Sequence, residues 1–231
     1  METHILQGIA QENNLSETAF FVSNGDHYDL RWFTPCSEVK LCGHATLAAA
    51  FVIFNFVNQN RELISFNTAS GLLEVFRDSN SLIHMNFPSQ PGKQIGITNN
   101  IMEGLGDQPE YLYLGEDLMA VFSTESQIHR IMPDFSILSA FPGRGVIITA
   151  AGDTVDFVSR FFAPKVGILE DPVTGSAHCM LTPYWSQRLN RKNLVAKQLS
   201  KRGGDILCEL KQDRVQISGK AIEFLIGKIH V

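Results

Sequence analysis

The chain has 231 residues, 44% of them hydrophobic and 19% charged, which fits a globular protein of one large or two small domains and excludes a disordered chain. A formal net charge of −5, with no basic cluster beyond Lys201-Arg202 and the Arg188 to Lys192 stretch, argues against nucleic acid as a partner. The longest apolar stretch, Ala45 to Val57, is too short and too punctuated by Thr46 and Asn55 to span a bilayer.

A short helix is expected over Thr3 to Asn13, with Ile5, Leu6, Ile9 and Ala10 on one face. Leu15-Ser16-Glu17 then turns into a strand, Thr18 to Ser23, and Asn24-Gly25 signals a hairpin back into the strand Tyr28 to Thr34. The helix Gly43 to Val57 is slim because of Ala45, Ala48, Ala49 and Ala50, as a helix wrapped by a curled sheet must be. Strands Leu63 to Thr68, Leu72 to Arg77 and Leu82 to Phe87 follow, with Ser70-Gly71 and Asp78-Ser79-Asn80 as turns. Pro88 to Lys93 reads as the domain boundary.

Beyond it come a short helix near Asn99 to Leu105 and a hairpin, Glu110 to Leu114 and Leu118 to Phe122. Helical segments at Glu125 to Ile131 and Asp134 to Ala140 precede strands Val146 to Ala150 and Val155 to Phe162. A helix is expected over Gly175 to Leu189, kinked or interrupted by Pro183. Four last strands are expected: Val195 to Leu199, Ile206 to Leu210, Arg214 to Ser218 and Ile222 to Ile229. The resulting division is a first lobe over 1–88, a linker and short helix over 89–107, and a second lobe over 108–231 whose last strand can cross back.

The two halves echo each other. Arg31-Trp-Phe-Thr-Pro35 leads to Leu41-Cys-Gly-His-Ala-Thr46 and a helix; Arg160-Phe-Phe-Ala-Pro164 leads to Val173-Thr-Gly-Ser-Ala-His178 and a helix. Such self-similarity suggests a duplicated fold with two helix N-termini facing a cleft. By the same symmetry the first half lacks an N-terminal β-hairpin. In Gly167-Ile-Leu-Glu-Asp-Pro-Val-Thr-Gly-Ser-Ala-His-Cys-Met-Leu181 the polar loop runs into a helix start, where unpaired N–H groups can seat an anion. Thr174, Gly175 and Ser176 are its candidate cap and first-turn residues. Four cysteines (Cys36, Cys42, Cys179, Cys208) show no CxxC spacing, and Met1-Glu-Thr-His lacks the features of a signal peptide, so reduced thiols in the cytoplasm are expected. Seven histidines without HxH or HExxH spacing give no expected metal site.

With these segments in hand, the chain resembles the phenazine-biosynthesis PhzF-like family, within the diaminopimelate-epimerase-like fold. The resemblance rests on Asn13-Asn-Leu-Ser-Glu-Thr-Ala-Phe-Phe21, on the two Arg-aromatic-Phe-x-Pro segments, on Leu41 to Thr46, on Glu170 to His178 and on Arg202-Gly-Gly204. It implies an α+β fold of two pseudo-repeated lobes, each a mixed β-barrel-like sheet around a central helix. It also implies homodimers, a small carboxylate-bearing substrate, and catalysis without metal or organic cofactor. The strand pair with a Gly-Asn-Pro turn that usually begins the family is absent, which leaves the first lobe short and its sheet edge unpaired.

The same resemblance implies the roles of individual residues. Glu17 is the catalytic acid/base, a carboxyl group that takes a proton from carbon and returns it elsewhere on the substrate. His44 donates a hydrogen bond to a substrate carboxylate or steadies an enolate-like charge. Asp171 pairs with a substrate amine or hydroxyl, or orients His44. Ser16, Gly43, Gly175 and Ser176 contact the substrate, the last two through N–H groups at a helix start. Diaminopimelate epimerases carry a cysteine at the start of each central helix. Here Cys42-Gly43 keeps one, but the second copy reads Thr174-Gly175, which argues against two-thiol racemisation. Glu38 and Glu170 are expected in loop or supporting roles, and His178 and Cys179 in packing. The expected function is thus a cofactor-independent isomerase. The alternatives are an epimerase or racemase of an amino-acid-like substrate, and a non-catalytic binding protein of the same fold.

Overall fold

The structure is a computed structural model that describes residues 1–230. It divides into two compact units, Met1–Asn86 with the chain from Ser218 onward, and Phe87–Ile217. Each is a mixed sheet with helices, so the fold class is α+β.

In the first unit, α1 (Thr3–Asn13) buries Leu6 and Ala10 and ends at Asn14 in the left-handed conformation. Strands β1 (Thr18–Asn24) and β2 (His27–Phe33) form an antiparallel hairpin from Thr18↔Phe33 to Asn24↔His27. Gly25 lies at φ +63° in its turn, a conformation an L-residue adopts at a cost. A two-residue strand β3 (Glu38–Val39), unforeseen from the sequence, adds to β2. Helix α2 (Gly43–Val52) buries Ala45, Thr46, Ala49 and Ala50, and its last turn, Ile53–Val57, widens into a π-helix. Strand β4 (Leu63–Thr68) then returns parallel to β2, and β5 (Gly71–Arg77) and β6 (Ile83–Pro88) continue antiparallel. The core comprises Leu30, Trp32, Phe33, Phe54, Ile64 and Phe66, all almost fully buried.

The second unit begins with β7 (Lys93–Ile95), also unforeseen, and α3 (Asn99–Leu105). A hairpin of β8 (Tyr111–Leu114) and β9 (Leu118–Val121) pairs with β7 on one side. Short helices α4 (Glu125–Arg130) and α5 (Phe135–Leu138) carry the chain to β10 (Val146–Ala151), parallel to β9. Thr124 and Gln127 close a capping box on α4, and the Asp134 carboxylate caps α5. After β11 (Phe157–Phe162), helix α6 (Gly175–Leu189) crosses over to β12 (Asn193–Gln198), which runs parallel to β11. Strands β13 (Gly204–Lys211) and β14 (Arg214–Gly219) complete the sheet. Leu105, Leu112, Phe122, Ile148, Val158 and Phe162 lie at the centre of the core.

Two expectations need correction. Pro183 does not end the helix: α6 runs unbroken through it. Proline removes the N–H that would bond the Cys179 carbonyl one turn back, and the Gln90 N–H takes that carbonyl instead at 2.9 Å. The strand expected over Ile222 to Ile229 does not form; residues 220–230 lie outside every ladder, with Ile222 89% and Phe224 99% exposed. A strand exists only beside a neighbour that satisfies its backbone groups. Thr174 occupies the N-cap position of α6, as expected, with Gly175 and Ser176 in the first turn, while its hydroxyl is engaged with Asp171 and not with the helix.

Candidate active site

Glu17 sits between α1 and β1, one residue before the first pair of the β1–β2 ladder. Its side chain is 10% exposed, and its Oε2 lies 3.0 Å from His44 Nε2. The approach is close but not aligned as a hydrogen bond, so Oε2 is a buried acceptor held against an imidazole. His44 is the second residue of α2, where the helix start fixes its Cα and leaves the ring 23% exposed. Cys42 is the N-cap of that helix, with extended backbone at φ −144° and ψ 108°. Its Sγ lies 3.7 Å from His44 Nδ1 and 3.8 Å from Nε2. Burial pushes the Cys42 thiol up, and His44 only partly counters it, so the thiol is a poor base at neutral pH. The Cys42 carbonyl takes both the N–H and the hydroxyl of Thr46, which locks the first turn. Glu17, Cys42 and His44 each offer one ligand atom within 4.8 Å of the others.

The second unit builds its own polar centre around the start of α6. Asp171 is buried at 4% exposure and accepts the Thr174 hydroxyl at 2.5 Å. Gln198, fully buried at the end of β12, ties this loop together. Its Nε2 donates to the Asp171 carbonyl at 2.7 Å and to Thr174 Oγ1 at 3.0 Å, while its Oε1 accepts the Thr174 N–H at 2.8 Å. Ser176 Oγ accepts a hydrogen bond from Arg144 Nη2 at 2.8 Å. Arg144 is itself clamped by Asp117 at 3.1 and 2.7 Å, and Asp117 also takes the Gly145 N–H. Burial alone would lower the Arg144 pKa, but the Asp117 carboxylate outweighs it and holds the guanidinium above its ordinary value. Ser16 and Gly43 lie beside Glu17 and His44 in the first unit, Gly175 beside Ser176 in the second.

Several sequence candidates prove structural. Glu38 receives Arg31 through two bonds of 2.7 and 2.8 Å, and Glu170 receives Arg160 at 2.7 and 3.1 Å. Each arginine also lies over the phenylalanine two residues on, Phe33 or Phe162. The Arg-aromatic-Phe segments are therefore braces in which the carboxylate is consumed. His178 is fully buried with Nδ1 2.8 Å from the Thr174 carbonyl, and burial lowers its pKa to about 4, so it is neutral packing. Burial pushes Cys179 up to about 12. In Arg202-Gly-Gly204, Gly203 lies at φ +71° and a Cβ on Gly204 would overlap the Val173 side chain. Gly204 thus makes room for the loop that precedes α6, and Gly203 serves the turn between β12 and β13.

Sequence reasoning missed Gln198, Arg144 and Asp117. For Gln198 a signal existed: along β12 the inward positions are Leu194, Ala196 and Gln198, so a polar residue stands in an apolar register. Arg144 and Asp117 lie in loops with no periodic pattern to mark them.

A family profile described as phenazine biosynthesis-like protein, PhzC-PhzF, matches residues 1–227. A curated protein named as an uncharacterized isomerase of Pseudomonas aeruginosa is 47% identical over 228 residues, covering 98% of this chain and 87% of the relative. The crystal structure of a phenazine biosynthesis protein of the PhzF family from Enterococcus faecalis is 48% identical, with a TM-score of 0.96, covering 100% of this chain and 89% of that one. A probable proline racemase from Agrobacterium radiobacter, at 11% identity, shares the fold with a TM-score of 0.64 over 93% of this chain and 76% of that one. No helix among the described residues is long and apolar enough to cross a membrane.

Proposed function

Because the chain belongs to the phenazine biosynthesis-like, PhzF-like family, we propose that it is a cofactor-independent isomerase that shifts a proton within a small carboxylate-bearing metabolite. Glu17 is the single acid/base. As carboxylate it removes a proton from a carbon activated by the neighbouring carboxylate; as carboxylic acid it returns the proton to another carbon. The observation that carries this reading is the mostly buried Glu17 carboxylate held 3.0 Å from His44 Nε2 at the start of α2. His44 steadies the charge that develops, on the substrate or on Glu17. Ser16 and Gly43 contact the substrate beside this pair. In the second unit, Ser176 and the N–H groups of Gly175 and Ser176 bind a carboxylate, and Asp171 pairs with a substrate amine or hydroxyl.

The epimerase alternative in its two-thiol form is disfavoured by chemistry on both sides. Cys42 is a buried thiol pushed away from ionisation, and Thr174 at the second helix start has given its hydroxyl to Asp171. The family resemblance also supports a homodimer, which analytical ultracentrifugation tests. Four free cysteines support residence in the reducing cytoplasm.

The test is proton exchange. Candidate carboxylates that raise the melting temperature are incubated with the protein in deuterated water and followed by NMR. Solvent deuterium appearing at a carbon of one ligand, abolished in a folded Glu17→Gln variant, is the expected result. Equal exchange in that variant removes Glu17 from the mechanism. Tight binding with no exchange in the unaltered chain makes it a binding protein.

A further inference from the structure

The residues that the first unit gathers around the start of α2 also form a ligand set of a different kind. A Glu17 carboxylate oxygen, a His44 ring nitrogen and Cys42 Sγ lie within 4.8 Å of one another. In a tetrahedral zinc site, bonds of about 2.3 Å to sulfur and about 2.0–2.1 Å to nitrogen and oxygen place S and N about 3.5 Å apart and N and O about 3.3 Å apart. The structure has 3.8 Å from Sγ to Nε2 and 3.0 Å from Nε2 to Oε2. Both separations lie within a few tenths of an ångström of those values, and metal binding also requires the imidazole to turn, since Sγ lies as near Nδ1 as Nε2.

The charges also balance. A thiolate and a carboxylate together match a divalent cation, so the loaded site is neutral where the side chains are largely buried. Glu17 Oε2 accepts no aligned hydrogen bond that metal binding would break. Access is from the His44 side, the most exposed of the three. Sulfur and imidazole donors favour zinc or cobalt over magnesium or calcium, which prefer all-oxygen shells.

We propose that Glu17, Cys42 and His44 bind a thiophilic divalent cation, Zn2+ or Co2+, with an open fourth position, and that this cation inhibits the protein. On binding, the Cys42 thiol gives its proton to solvent as the sulfur–metal bond forms. His44 donates a ring-nitrogen lone pair, any proton held on that nitrogen passing to solvent, and the Glu17 carboxylate supplies an oxygen. Inhibition follows because the metal occupies the oxygen that would carry the proton, and this consequence rests on the function proposed above; binding does not. A scan for metal motifs overlooks the site, since Glu17 is far from the Cys-Gly-His segment in the chain and joins it only through the β1–α2 packing.

The probe is Co2+ added to the full-length, fully reduced chain carrying Cys36→Ser, which removes the exposed thiol. One equivalent of Co2+ is expected to give a sulfur-to-cobalt charge-transfer band, and one equivalent of Zn2+ to displace it. Cys42→Ser should abolish the band and weaken binding by more than about 100-fold, and His44→Asn and Glu17→Gln should each weaken it by about 10- to 100-fold. No saturable band, or a band that survives Cys42→Ser, overturns the site. If Cys42→Ser does not fold by circular dichroism, the other two variants decide, and unchanged affinity in both overturns it. Stoichiometric Co2+ binding that leaves proton exchange intact keeps the metal site and overturns its inhibitory role together with the assignment of Glu17. Absent binding with exchange lost in Glu17→Gln does the reverse.

Discussion

Gln198 is the buried pin of the loop before α6, and replacing it tests whether that loop is built as described. Gln198→Leu keeps most of the side-chain volume while removing the partner of the Asp171 carbonyl and of the Thr174 N–H. Thr174 Oγ1 keeps its bond to Asp171, so the damage is confined to two backbone groups. A buried backbone group deprived of its partner costs about 1–3 kcal/mol. Burying leucine in place of the amide returns about 1.5 kcal/mol or somewhat more. The expected net loss is therefore about 2 kcal/mol. The chain has two tryptophans, and Trp185 lies in the second unit while Trp32 lies in the first. In a Trp32→Phe background, urea unfolding followed by fluorescence reads the second unit through Trp185 alone. Hydrogen exchange at the Thr174 amide should also accelerate. A loss under about 0.5 kcal/mol, the range of an ordinary surface substitution, with unaltered Thr174 exchange would refute the pin.

Three further outcomes are expected. Glu17→Gln should reduce proton exchange by at least about 1,000-fold and His44→Asn by about 100-fold, within the span of positioned acid/base groups; rates near those of the unaltered chain in both would remove the pair from the chemistry. Asp117→Ala strands Arg144 without its clamp and should cost about 3 kcal/mol, read by urea unfolding, while retention of full stability would show that Ser176 and Glu116 suffice to hold the guanidinium. His178 is neutral when folded, with its pKa lowered from 6.5 to about 4, so between these values the unfolded chain binds more protons and stability rises with pH. The penalty is absent above pH 6.5 and complete below about 4, amounting to about 3 kcal/mol. Urea unfolding of His178→Gln across that window should show a correspondingly flatter slope, and an unchanged slope would place the titration elsewhere.

What the sequence disclosed was what local pattern encodes. Alternation in Tyr28 to Phe33, the Gly25 turn and the alanines of α2 each fix an element through backbone preference or face periodicity, and these elements, with the π-helical turn that extends α2 to Val57, stand within a residue or two of their expected ends. The misses are non-local. Pro183 is tolerated because Gln90, far along the chain, covers the carbonyl it exposes. Ile222 to Ile229 has a strand's composition but pairs with no strand, which composition does not report. β3 and β7 are two and three residues long, below the length at which a period is readable. Glu17 and His44 were named from a motif resemblance; that they meet, with Cys42 as a third member, is visible only after folding.

The two helix starts have the same backbone device and different chemistry. Cys42 and Thr174 both occupy an N-cap in extended conformation, and neither side chain caps its helix. Cys42 packs against His44, whereas Thr174 turns to Asp171 and is pinned by Gln198. A threonine hydroxyl is a poor proton acceptor at neutral pH, and this one already accepts from Gln198; a buried thiol with a raised pKa is also poor in that role. Of the acids the sequence singled out, Glu38 and Glu170 are each consumed by two bonds from an arginine. Asp171 holds the Thr174 hydroxyl, so protonating it would disturb the loop that starts α6. Glu17 lies against the His44 imidazole, and its Oε2 accepts no aligned hydrogen bond. Glu38 and Glu170 are thus structural carboxylates, and the proposed proton carrier, Glu17, is the acid set 3.0 Å from the imidazole at the start of α2.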